Sequence, residues 1–309
     1  MNLVRKAPGR VTFVGSGPRD PGLLTIRARE FLTHAELVVT DPDIPASVLT
    51  LVGAKAELRP AVGAPSDVAK DVAAEAKAGH SVVRLVAGDP LILDAVVEEA
   101  KAIAEAGIAF DVVPGVPSGT AVPAYAGIPL GAVRTEVDVR GEVDWAGLAS
   151  VPGTLVLHAT GEHLAAAASY LMQYGMPSQT PVAVTTEGTG SSQRTIDTTL
   201  ASLFADGGEL AGQLVVTVGD VVSARSKLSW WESRSLYGWK VLVPRTKDQA
   251  GEMSTKLISH GAIPVEVPTI SVEPPRSPAQ MERSVKGLVD GRYQWVVFTS
   301  TNAVRAVWE

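Results

Sequence analysis

Cysteine is absent from the 309 residues, which excludes thiolate nucleophiles, thiolate metal sites and disulfides. The five histidines, His34, His80, His158, His163 and His260, include no i, i+4 pair of the kind a helical zinc site uses. No metal is expected. Chemistry is left to carboxylates, arginines and the backbone amides of turns rich in Gly and Pro. Four such turns stand out. Gly15-Ser16-Gly17-Pro18-Arg19-Asp20-Pro21-Gly22 follows an apolar run and opens a helix, so its free amides suit an anionic or polar ligand group. It fails as a dinucleotide fingerprint, because Asp20 takes the third glycine position and Pro18 and Pro21 remove amides. That counts against a nicotinamide dehydrogenase. Ala87-Gly88-Asp89-Pro90 ends a second apolar run, with small residues for close backbone approach and Asp89 able to bind a hydroxyl or ammonium. Val113-Pro114-Gly115-Val116-Pro117-Ser118 reads as a lobe junction in which Ser118 would cap the next helix. The fourth turn is Glu187-Gly188-Thr189-Gly190.

The elements that must position these turns are legible from periodicity. Arg10–Gly15, Glu36–Thr40, Ser81–Val86 and Ala109–Val113 read as strands, and Leu23–His34, Asp67–Gly79 and Ile92–Ala106 as helices. Strands apolar on both faces with helices between them predict a parallel sheet covered on both sides. Beyond Gly115 the strands are Thr154–Ala159, Pro181–Thr186 and Gln213–Val218, with helices at Glu162–Tyr174 and Thr199–Ala205. Arg194–Thr198 alternates in the manner of an antiparallel strand. A second α/β lobe close to the first is expected, with a cleft between them. The lobes should meet near Val113–Pro117, with the loops at 15–22, 87–92 and 114–118 lining the cleft.

A further boundary falls near Ser223–Tyr237, because five of the six tryptophans lie at or beyond Trp230. Trp239–Thr246, Ile263–Val267 and Gln294–Thr299 read as strands there. Asp248–His260 and Ala279–Val289 read as helices, and another begins at Asn302–Trp308. The expected domains are 8–232, with lobes of about 8–115 and 116–232, and 238–309. The net charge of −6 divides into −8 over residues 1–229 and +2 over 230–309. Neither part carries the basic stripe of a nucleic-acid binder. No apolar run reaches the ~18 residues of a membrane helix, and no signal-type stretch follows Met1. A cytoplasmic protein is expected.

In their order, and closed by Ala224-Arg225-Ser226-Lys227-Leu228-Ser229-Trp230-Trp231, the four turns resemble the tetrapyrrole (corrin/porphyrin) methylase family from about Gly9 to Trp231. Within that family they resemble the uroporphyrinogen-III C-methyltransferases. The resemblance implies a homodimer of two-lobed subunits, each binding S-adenosyl-L-methionine in the interlobe cleft and converting uroporphyrinogen III to precorrin-2. The implied cofactor contacts are Pro18, Ala87, Gly88, Asp89, Ile92, Pro117, Ser118, Ala159 and Gly188. Asp41 matches a carboxylate assigned to proton removal, although its sequence context also allows a cap on the turn at Pro42. The implied substrate bears eight carboxylates, for which Arg19, Arg134 and Arg140 are the candidate bidentate partners. The chain departs from the family pattern at Arg19 and Ala87 (glycines), Ala64 (lysine) and Ala159 (methionine). It also departs at Gly131-Ala132-Val133-Arg134, where Thr-His-Arg is usual. A methylase-like domain that has lost catalysis and serves as a scaffold is therefore a second reading.

Past Gly238, Val241-Leu242-Val243-Pro244-Arg245-Thr246 and Val297-Phe298-Thr299-Ser300-Thr301-Asn302-Ala303-Val304 resemble the first part of uroporphyrinogen-III synthase, a lyase. Synthase activity is expected only of a longer chain. The segment should be loosely held, with Trp295, Phe298 and Trp308 exposed.

Overall fold

In the computed structural model the described residues are 9–206, 210, 212–244, 247–267, 277–298 and 303–304, with the side chains of 204–206 and 247–250 left aside. The chain divides into two compact units, Met1–Tyr237 and Gly238–Glu309. The first unit begins with β1 (Val11–Gly15), α1 (Ile26–His34), β2 (Leu37–Thr40), α2 (Ala46–Leu49) and β3 (Glu57–Pro60). It continues with α3 (Pro65–Lys77), β4 (Val82–Val86), α4 (Asp94–Glu105) and β5 (Phe110–Val113). These strands form one parallel sheet in the order β3-β2-β4-β1-β5.

Strand periodicity divides the apolar side chains between two cores. Val11, Phe13, Leu37, Val39, Val82 and Val86 face α3 and α4, meeting Val72, Ala76 and Ile103. Val14, Val38, Val83 and Leu85 face the other way, onto Ala28 and Leu32 of α1 and Val48 of α2. β1, β2 and β4 are buried throughout. That explains why they are apolar without alternation. Arg84 lies on the α3/α4 face of β4, between Val82 and Val86, and is only 3% exposed.

The second lobe runs through α5 (Ser118–Ala126), β6 (Arg134–Asp138), α6 (Trp145–Ala149), β7 (Thr154–Thr160) and α7 (Gly161–Gln173). It ends with β8 (Pro181–Thr186), β9 (Arg194–Thr199), α8 (Leu200–Asp206), β10 (Gln213–Val218) and α9 (Arg225–Leu228). Its sheet has the order β6-β7-β10-β8-β9, and only the β6–β7 pair is parallel. The alternating segment at 194–199 is indeed antiparallel, paired with β8. Leu155, Leu157, Val184 and Val216 pack on Leu164, Ala168 and Leu171 of α7. On the opposite face Val156 and Val215 meet Val122 of α5. Ser118 does not cap α5 as expected. The cap position is Pro117, with no side-chain hydrogen bond, and Ser118 is the first helical residue.

In the second unit β11 (Lys240–Val243) pairs in parallel with β12 (Ile263–Glu266), flanked in sequence by α10 (Lys247–Ser259) and α11 (Pro278–Val289). The strand expected at 294–299 does not form over Trp295–Phe298, and Thr299 lies outside the described residues. Strand-forming residues gain little without a neighbour to pair with. Trp295 is 87% exposed and Phe298 44%. Of the helix expected at 302–308, Ala303 and Val304 are helical and the rest, Trp308 included, lies outside the described residues. Among the described residues, no helix is long and apolar enough to cross a membrane.

Candidate functional site

β4, β1 and β5 are neighbours, so the turns after them leave the same carboxyl edge of the sheet. Gly17 and Gly88 form an antiparallel bridge, each amide donating to the other's carbonyl at 3.2 and 3.0 Å. The Gly115 amide donates to Asp89 Oδ2 at 3.2 Å, while Asp89 Oδ1 accepts from Leu91 N at 3.1 Å. Three glycines permit this meeting. A Cβ on Gly115 would lie 1.9 Å from the Gly88 carbonyl oxygen, and one on Gly15 would lie 2.5 Å from it. Gly88 itself has φ +66, in the left-handed region.

The second lobe closes over this edge through the fourth turn. Thr189 Oγ1 accepts from the amides of Arg19 and Asp20 at 3.0 and 3.1 Å. The Arg19 guanidinium pairs with Glu187 at 2.9 Å, and Tyr125 donates to Asp20 Oδ2 at 2.8 Å. Glu187 and Thr189 both have positive φ, at 49° and 66°, a strain that surrounding bonds must hold. Buried Gln193 supplies one by accepting from Thr189 N at 2.7 Å, and it donates in turn to Glu232 at 2.8 Å. Trp231 donates to the Gly190 carbonyl at 3.1 Å under the Arg234 guanidinium, 3.8 Å from the ring centroid. The segment after α9 is thus a strap on the turn. Thr189→Ala is expected to lower the stability of this unit by about 1–3 kcal/mol, because two amides lose their acceptor, while Thr189→Ser retains most of it. Urea denaturation of both variants checks this, and equal stability would show that water replaces the hydroxyl.

Between these turns lies a cleft of about 310 Å³. Of the residues expected to hold a ligand, it is lined by Pro18, Ala87, Gly88, Ser118, Ala159 and Gly188. Asp89, Ile92 and Pro117 are outside the lining. Asp89 ties two of its loops together, and Ile92 is 61% exposed. Arg19 and Arg140 reach the cleft, whereas Arg134 lines a different groove with Pro129, Leu130 and Trp230. The expectation that all three arginines serve one mouth is corrected accordingly. Arg134 opens β6, whereas Arg140 lies beyond its end, so the strand separates the two. Arg140 is held by Asp138, and that pairing pulls the Asp138 carboxyl below its usual range.

Asp41 has both carboxylate oxygens engaged inside the first lobe. Oδ1 pairs with Arg84 at 2.6 Å and Oδ2 accepts from Ala87 N at 3.3 Å. Arg84 grips Glu99 of α4 with Nε and Nη2 at 2.8 and 3.0 Å. Asp41 is not among the cleft-lining residues. Its place at the end of β2 makes it a tie from the Ala87 turn to a buried ion network. Residues that drew no attention as site residues in the sequence line the cleft instead: Asp43, Gln213 and His158. Gln213 Nε2 lies 3.4 Å from Asp43 Oδ2 across the two lobes. His158 Nε2 lies 2.7 Å from Glu136 Oε1. Only β6 pairing with β7 juxtaposes them, and β6 carries no apolar signal.

The family model for Tetrapyrrole (Corrin/Porphyrin) Methylases matches residues 10–203. The chain belongs to this family. Residues 251–309 match the model for uroporphyrinogen-III synthase HemD. Among curated relatives, the porphyrin biosynthesis protein HemD of Ruminiclostridium josui is 30% identical, over 97% of this chain and 63% of the relative. A sirohaem synthase of Escherichia coli O81 is 37% identical over 73% of this chain and 53% of its own length. The chain therefore spans little more than half to two thirds of the curated relatives it matches. A uroporphyrin-III C-methyltransferase from Thermus thermophilus, solved with S-adenosyl homocysteine, is 28% identical with a TM-score of 0.63. It covers 70% of this chain and 99% of that one. A cobalt precorrin-4 methyltransferase, 22% identical with a TM-score of 0.65, shares the fold of this tetrapyrrole methylase.

Proposed function

We propose that the 310 Å³ cleft binds S-adenosyl-L-methionine and that the unit carries out C-methylation of uroporphyrinogen III to precorrin-2. The observation that carries this reading is the glycine-packed edge where the turns at 17, 88 and 115 converge beneath Gly188. The lining suits a nucleoside held by shape: small side chains at Ser118 and Ala159, and no bulk at Gly88, where a Cβ would meet nothing within 4 Å. The amides of the first turn, expected to be free for a ligand, are instead bonded within the protein, as is that of Ala87. When bound, the cofactor supplies an electrophilic methyl group on a sulfonium. The protein's part is to orient the acceptor and exclude water, which can lower a barrier by about 7–11 kcal/mol without a protein nucleophile. Arg19 and Arg140 at the cleft meet substrate carboxylates. Asp89 acts on the cofactor through the loops that it joins, so Asp89→Ala weakens binding by about 1–3 kcal/mol. Calorimetry with S-adenosyl homocysteine checks both points. Absence of binding by the unaltered protein sinks the cofactor assignment, and unchanged affinity in Asp89→Ala shows that the turn holds without it.

The match at 251–309 supports a bifunctional arrangement in which the synthase makes the substrate that the methylase consumes. The protein acts in the cytoplasm as a homodimer. The engagement of both Asp41 oxygens favours one further reading, a methylase-like scaffold without turnover. Anaerobic incubation with uroporphyrinogen III and S-adenosyl-L-methionine separates the two by the appearance of a dimethylated product.

A further inference from the structure

We infer that His158, oriented by Glu136, is the group that accepts the proton released when the tetrapyrrole is methylated. This rests on the methyltransferase reading above. A methyl group that arrives without its bonding electrons leaves the tetrapyrrole with one positive charge. Neutrality returns when a pyrrole N–H bond breaks, its electron pair staying on the ring system and its proton passing to a base. Asp41 is poorly placed for this, since Arg84 and the Ala87 amide occupy its oxygens.

His158 meets the requirements of such a base. It lies on the face of β7 that Val156 shares, turned toward α5 and the cleft, and it lines that cleft. Its side chain is 22% exposed, enough for a substrate to reach. Nε2 is engaged by Glu136 at 2.7 Å, while Nδ1 has no protein partner among the described residues. A carboxylate on one ring nitrogen fixes the tautomer, leaves the other as a lone pair, and stabilises the imidazolium that forms. Glu136 is itself well fixed. A Cβ on Gly119 would lie 2.0 Å from its Oε1, so the first turn of α5 packs directly on the carboxylate. The hydrogen bond from His158 lowers its pKa against the opposing effect of burial, with smaller help from the charges of His158 and Arg134.

The other charged groups around the imidazole are Asp138 on β6 and, around the cleft, Arg140, Asp43 and the Arg19–Glu187 pair. α5 contributes one ionisable side chain, Tyr125, whose hydroxyl donates to Asp20, and the neighbouring stretch of β10 contributes none, so Glu136 is the direct partner.

The test combines spectroscopy with kinetics. The His158 tautomer is read by nitrogen NMR in the full chain without cofactor, in the unaltered protein and in Glu136→Gln. The form protonated at Nε2 is expected with the carboxylate present, and a mixture of tautomers without it. Single-turnover methylation should slow toward acid pH along one ionisation. Glu136→Gln should slow the reaction less than loss of the imidazole does, His158→Asn should abolish the acid limb with at least a tenfold slower rate, and free imidazole should partly rescue His158→Ala. Binding of S-adenosyl homocysteine within threefold of the unaltered protein shows that each variant keeps its cleft. If the unaltered protein binds the cofactor and turns over but His158→Asn keeps the rate and the acid limb, the inference fails alone. A raised KM with an unchanged pH profile would also overturn it, making His158 a carboxylate contact. No cofactor binding by the unaltered protein removes the methyltransferase reading and this inference with it.

Discussion

Arg84→Met is expected to lower the stability of the tetrapyrrole methylase unit by about 3–5 kcal/mol, the usual cost of taking one partner from a buried ion network. The guanidinium satisfies Glu99 with two bonds, Asp41 with one and the Leu85 carbonyl at 3.0 Å. The Glu99 side chain is 4% exposed and that of Asp41 17%. Without the cation two carboxylates share a space that water enters poorly, and each must be desolvated uncompensated or take up a proton. The double variant Arg84→Met/Glu99→Leu removes one of the stranded charges and should recover part of the loss. Urea denaturation followed by circular dichroism measures both. A loss below 1 kcal/mol for the single variant would mean that water reaches the pocket and the network contributes little. Because Asp41 Oδ2 also holds the Ala87 amide, the single variant should weaken cofactor binding as well as stability.

The second large effect concerns Gly115→Ala. Its Cβ would fall 1.9 Å from the Gly88 carbonyl oxygen, a main-chain atom that cannot swing aside. The loops after β4 and β5 must separate, and the Gly17–Gly88 bridge with them. Overpacking of this kind costs about 1–3 kcal/mol. Here it falls where the ligand binds, which corresponds to about a 5- to 150-fold weaker affinity for S-adenosyl homocysteine. Gly141→Ala is the control, since a Cβ there meets nothing within 4 Å and the backbone is not left-handed. Equal affinities for the two variants would show that these loops are not the cofactor site.

The sequence by itself determined the long elements and the turns. Runs such as Leu37–Thr40 are buried on both faces and are therefore apolar without alternation, and helices such as α7 must repeat their apolar residues at 3.6. These signals are local, so they survive without knowledge of the partner. Gly and Pro marked the four turns for the same reason, since backbone geometry restricts residue choice at the position itself. The short edge strands β3 and β6 went unread. Glu57–Pro60 and Arg134–Asp138 are exposed along much of their length and need no apolar pattern, and only pairing with β2 and β7 defines them.

The converse failure is Trp295–Phe298, apolar enough to suggest a strand yet unpaired among the described residues. Which charges distant in sequence meet is set by the tertiary structure. Asp41 and Glu99 lie 58 positions apart and share Arg84, Arg134 is separated from Arg19 and Arg140, and His158 finds Glu136 across 22 residues. An ion pair depends on distance in space and on the water excluded around it, and neither is written in the spacing of residues along the chain.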